Sequence, residues 1–158
     1  MHQLVNSAKA LRTMRKTPLI LSTVLHNVSQ EQAVTLRDGP DGWSILYILC
    51  HLRDIELIFT KRAQDLLERP NPTFTVVSNE ELITQGRYGE QDARAVLEQY
   101  FAHRRAFIAL LESVADEQWG LAGVHPQQGP ATLLDVAVNT GLHDVDHIEQ
   151  IIRCLVQE

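Results

Sequence analysis

Apolar residues recur at helical spacing over most of this chain, and two stretches crowded with glycine and proline interrupt the pattern. Residues 2–16 are weakly amphipathic. Thr17-Pro18 then reads as an N-cap followed by proline at a first helical position, with helix continuing over Leu19 to Val28. Ser29-Gln30-Glu31-Gln32 has capping-box spacing. Asp38-Gly39-Pro40-Asp41-Gly42 breaks the chain. A long helix follows from Ser44 to about Glu68, stopped by Pro70-Asn71-Pro72. Residues 70–90 read as a crossover loop with a short helix at 79–85. A third long helix runs from about Gln91 to Ala115, and Asp116 to Pro130 forms a second loop. The last helix starts at Thr132, with Asp135 completing a capping-box variant, and runs to the end. Thr73 to Val77 is the one strand candidate. Long helices joined by connections of this length predict an all-α four-helix bundle with crossover loops, and residues 1–158 read as one domain.

Composition excludes several classes of function. Fourteen Lys and Arg against twenty Asp and Glu give a net charge of −6. No basic cluster stands against that background, so nucleic acid is not an expected partner. No apolar run exceeds the six residues of Ile45 to Cys50, far too few to span a membrane. The N-terminal residues lack the apolar segment and cleavage site of a signal peptide. Cys50 and Cys154 stand far apart without a CxxC pair, as expected of reduced thiols in a cytoplasmic protein.

Two of the seven histidines, His143 and His147, are four residues apart on the last helix. They lie one turn apart and within about 40° of each other, so both imidazoles can reach one ion. The spacing alone is a weak signal. A third ligand from another helix would strengthen it, and His51 lies early in the second long helix. Three neutral imidazoles leave coordination positions for water or substrate. His2, His26, His103 and His125 read as solvated surface.

The strings WSILYILCHLRDIE and HPQQGPATLLDVAVNTGLHDVDHIEQI resemble the DinB-like (YfiT-like) superfamily of helical-bundle proteins, which includes metal-dependent hydrolases and thiol-dependent S-transferases. The resemblance runs from about Thr17 to Ile151. It implies a four-helix bundle holding a divalent metal, zinc or nickel, through three histidines, which match His51, His143 and His147 here. It also implies a homodimer and a small-molecule substrate, with a low-molecular-weight thiol as one candidate. It does not imply a single reaction.

Charges on apolar faces form a separate signal. On the third helix Leu97, Tyr100, Phe101, Phe107, Ile108 and Leu111 fall within about 60° of Arg104. Glu56 points into the stripe of Ile45, Leu49, Leu52, Phe59 and Ala63. Asp144 lies close to Ile148, Ile151 and Leu155. Arg104 either snorkels to a bundle end or takes a buried carboxylate, with Glu56 the first partner and Asp144 the other candidate. A bidentate Arg104–Glu56 contact would set the register of two helices and so the position of His51. Asp54 could orient a ligand imidazole or be solvated. Trp43 reads as a staple residue at the helix start, and Cys50 as core. Cys154 stands roughly 16 Å along the helix from His143, too far to be a ligand.

These readings point to a metal-dependent enzyme. Thiol transfer, in which a small thiol attacks an electrophile, needs no dedicated base, and no Glu adjoins His143 as in HExxH proteases. Hydrolysis through a metal-bound hydroxide is the alternative. A non-catalytic, metal-stabilised binding or stress-response module is the reading from another class, and a fourth protein ligand closing the site would mark it.

Overall fold

The computed structural model describes residues 4–156. Its elements are α1 (Ser7–Val24), α2 (Gln30–Thr35), α3 (Ile45–Glu68), α4 (Asn79–Gly86), α5 (Ala93–Glu112), β1 (Ala122–His125), β2 (Gly129–Thr132) and α6 (Leu133–Val156), with short 3-10 turns at Tyr88–Glu90 and Asp116–Gly120. The four long helices α1, α3, α5 and α6 form the bundle, and long connections carry the smaller elements. His2 lies outside the described residues.

Local chemistry starts most helices where the sequence places them. The side chains of Asn6, Ser29, Ser44, Ser78 and Asp92 each accept a backbone N–H of the first turn. Ser29 with Gln32, and Ser78 with Glu81, complete capping boxes. Thr132 and Asp135 do the same for α6, Asp135 N–H donating to Thr132 Oγ1 at 3.1 Å and Thr132 N–H to Asp135 Oδ2 at 2.8 Å.

Pro18 departs from expectation. It lies inside the continuous helix α1 rather than at a helix start. Proline lacks the N–H that would bond the carbonyl four residues back, which normally breaks a helix. Here Arg104 Nη1 donates to that Met14 carbonyl at 3.0 Å, so the freed acceptor keeps a partner.

The second loop also differs from its sequence reading. Residues 122–132 form an antiparallel hairpin, Ala122 pairing with Thr132 and His125 with Gly129. The expected strand at 73–77 is reduced to one parallel bridge, Thr73 with Val124. That bridge pins the crossover loop to the hairpin: Phe74 N–H donates to Val124 O at 2.9 Å and Val124 N–H to Pro72 O at 2.8 Å. Gly123 permits the close approach, since a Cβ there would stand 2.7 Å from Pro72 O and 2.8 Å from the Phe74 ring.

The core is split. One apolar cluster gathers Leu21, Ile48, Leu52, Tyr100 and Ile151; the other gathers Met14, Phe59, Phe107, Leu111 and Val136. Between them a buried polar residue from each long helix meets the others: Thr17 from α1, Glu56 from α3, Arg104 from α5 and Asp144 from α6. Arg104 does not snorkel; it is 2 % exposed. Its Nε and Nη2 donate to Glu56 Oε1 and Oε2 at 2.6 and 2.7 Å. Its Nη1 and Nη2 also donate to Asp144 Oδ2 and Oδ1 at 2.7 and 3.0 Å. Both candidate carboxylates therefore hold the one guanidinium. Tyr100 and Thr17 hydroxyls donate to Asp144 as well. Every member is hydrogen-bonded, which a buried ionic group requires. Among the described residues no helix is long and apolar enough to cross a membrane.

Candidate metal centre

α3 and α6 bring His51, His143 and His147 together. Each offers one ring nitrogen, and the three atoms lie within 4.8 Å of one another. His143 Nε2 stands 3.1 Å from His51 Nε2 and 3.2 Å from His147 Nε2. Two nitrogens each about 2.0–2.1 Å from a tetrahedral ion would be about 3.3 Å apart, so the donor set fits a divalent ion. His51 is buried, while His143 and His147 are half-buried and reach solvent.

Electrostatics keep these rings neutral. Burial, then the charges of His147 and His143, push His51 down to about 3. Burial, then His147 and Arg104, push His143 down to about 3. Burial also lowers His147, opposed by Gln150, Asp146 and Asp144. Gln150 Oε1 lies 2.8 Å from His147 Nδ1 and can only accept, so Nδ1 carries the proton and the Nε2 lone pair faces the other rings. His51 Nδ1 is buried without a hydrogen-bond partner.

Aromatic rings wall the cluster. Trp43 stacks nearly parallel to His147, centroids 6.4 Å apart, and packs 5.1 Å from His51. It is therefore a wall of the histidine cluster rather than only a staple. Phe59 meets His143 edge-on at 5.6 Å. Asp54 makes no hydrogen bond to His51; it accepts from Tyr88 Oη at 2.8 Å and Arg53 Nε at 2.7 Å. Cys50 and Cys154 are free and buried, and burial raises the Cys50 thiol to about 12.

The other histidines divide. His26 is exposed. His103 is half-buried with Nδ1 sealed from solvent, and His125 is buried, so neither is the solvated residue expected. His125 closes the hairpin turn, its Nδ1 accepting the N–H of Gln127 and of Gln128 at 3.2 Å each. The sequence reading passed over Gln150 and the proximity of Phe59 to the cluster. Gln150 had a local signal, one turn beyond His147 on the same helix.

The fold and the clustered imidazoles define a helical-bundle protein with a three-histidine candidate metal centre. The chain belongs to the DinB superfamily, whose profile matches residues 13–151. Its fold is similar to that of YfiT from Bacillus subtilis, described as "a probable metal-dependent hydrolase with an unusual four-helix bundle topology" (TM-score 0.87, 18 % identity, 98 % of this chain and 88 % of that one). It is also similar to a mycothiol-dependent maleylpyruvate isomerase (TM-score 0.76, 12 % identity), covering 93 % of this chain and 61 % of the isomerase. No curated protein matches the sequence significantly.

Proposed function

We propose that this protein is a metal-dependent enzyme in which His51, His143 and His147 hold a divalent ion, zinc or nickel, and that it transfers a low-molecular-weight thiol to a small electrophile. The convergence of three neutral imidazoles, two of them reaching solvent, carries the reading. When bound, such an ion lowers the pKa of a ligated thiol or water and polarises a carbonyl. Among the described residues the cluster has three members and no fourth protein ligand, which favours a catalytic over a purely structural centre.

The chain's own residues orient and enclose. Gln150 holds the His147 tautomer. Trp43 and Phe59 exclude water from the flanks of the rings. Of the carboxylates nearest the ligands in sequence, Asp54 is held by Arg53 and Tyr88, Asp144 by Arg104, Tyr100 and Thr17, and Asp146 is exposed. Neither Asp54 nor Asp144 is free to take a proton from water, whereas a thiol, far more acidic than water, would need no such base. That observation favours thiol transfer over hydrolysis. The names of the similar structures, one a metal-dependent hydrolase and the other mycothiol-dependent, are compatible with either chemistry.

The test is metal analysis of protein purified without affinity-tag metal, followed by a thiol panel with 1-chloro-2,4-dinitrobenzene and a p-nitrophenyl ester. One ion per chain and thiol-dependent product formation lost in His143→Ala are expected. Ester cleavage without thiol would transfer the assignment to hydrolysis. A bound ion with neither activity would favour a binding module.

A further inference from the structure

Arg62 lies on the same face of α3 as His51, about three turns later, with Ile55 and Ile58 between them on that face. Its guanidinium carbon stands 5.4 Å from the centre of the Phe59 ring and 5.5 Å from that of Phe74. Phe59 in turn meets His143 edge-on. One aromatic ring therefore separates this cation from the histidine cluster. Arg62 is half-buried, and its Nε is sealed from solvent with no acceptor.

This isolation is unusual within the molecule. The described arginines that are not exposed are Arg53, Arg62 and Arg104. Arg53 holds Asp54 and Arg104 holds Glu56 and Asp144. Arg62 has no carboxylate, and its only described partners are two phenyl rings. The cation also acts on the buried His125, which burial and the Arg62 charge together keep neutral. Burying part of a guanidinium without a counter-ion is unfavourable. Stacking on phenyl faces offsets part of that and holds the planar fork rigid, the arrangement suited to two parallel hydrogen bonds with a carboxylate.

We propose that Arg62 is the recognition residue for a carboxylate carried by the substrate, which it binds with the reacting part of the molecule directed past Phe59 toward the histidines. The ligand class is a small organic acid. One uncompensated positive charge matches a carboxylate better than a phosphate dianion. The carboxylate contact stands independently of the metal, while its role in turnover rests on the function proposed above.

The Arg62 Nε–H signal in ¹H–¹⁵N spectra of the full chain, assigned by its loss in Arg62→Lys, tests this directly. Succinate, its neutral diamide and inorganic phosphate are titrated at constant pH and ionic strength, with and without one equivalent of zinc. Succinate should shift the signal saturably and the diamide should not. Arg62→Leu should weaken succinate binding by calorimetry about tenfold or more, with its melting temperature no lower than that of wild type. The absence of a saturable shift, an equal response to the diamide, tighter binding of phosphate than of succinate, or unchanged affinity in Arg62→Leu would each overturn the proposal. His143→Ala separates the two readings. A succinate shift retained there, with metal binding absent even in wild type, sinks the metal reading alone; stoichiometric zinc without a succinate shift sinks the carboxylate site alone.

Discussion

Replacing Arg104 with methionine should be among the most damaging single changes available to this fold. The substitution removes six hydrogen bonds, two to Glu56, two to Asp144, one to the Met14 carbonyl and one to Thr17 Oγ1. Breaking a buried ion pair by deleting one partner costs about 3–5 kcal/mol. The Met14 carbonyl adds about 1–3 kcal/mol, because Pro18 cannot donate to it and no water reaches it. Domains are stable by only about 5–15 kcal/mol, so Arg104→Met should be marginally folded or unfolded. Glu56→Gln, which keeps the shape and loses the charge, is the milder companion. Urea denaturation followed by helical circular dichroism measures both. Adding Glu56→Leu to Arg104→Met should recover only part of the loss, since Asp144 stays buried with two neutral hydroxyl donors. The deficit should also depend on pH. Burial raises Glu56 above the ordinary carboxylate range and Arg104 opposes that rise. Without Arg104 the folded state binds the Glu56 proton more tightly than the unfolded state does, so stability is lost as pH rises through that raised value and regained on acidification. A loss under about 1 kcal/mol, or a deficit that grows between pH 7.5 and 5, would refute the argument.

Four further outcomes are expected. His143→Ala should abolish retention of a divalent ion, read by elemental analysis, while leaving the helical spectrum intact. Metal-free protein should lose stability as pH falls below about 6.5, the ordinary histidine value, because His51 and His143 are held down to about 3 when folded and the unfolded chain takes up protons first; denaturation across pH 4–7 should show a shallower slope in His143→Ala. Gly123→Ala should destabilise the hairpin by about 1–3 kcal/mol, since its Cβ meets the Pro72 carbonyl and the Phe74 ring, seen as a lower urea midpoint. Sedimentation at micromolar concentration should give a two-fold homodimer, a monomer being the contrary result.

Much of the architecture is written locally. Helix starts are legible because Ser44, Ser78 and Thr132 satisfy first-turn N–H groups with their own side chains, a matter of neighbouring residues. The pairing of His143 with His147 follows from helical geometry alone. The charges at Glu56, Arg104 and Asp144 stand out because each breaks an apolar stripe. The hairpin at 122–132 is not legible: its glycines and proline carry no alternation, and its first strand takes further backbone partners from Pro72 and Phe74 in a distant loop. Pro18 misled for the same reason, since the donor that rescues the Met14 carbonyl comes from α5. Sequence could supply two alternative partners for Arg104; only packing four helices around one guanidinium could engage both at once. Likewise a histidine on α3 and two on α6 become one donor set only when the polar layer holds those helices in a single register. Side-chain chemistry and helical period are properties of the chain, but convergence in space is a property of the assembled bundle.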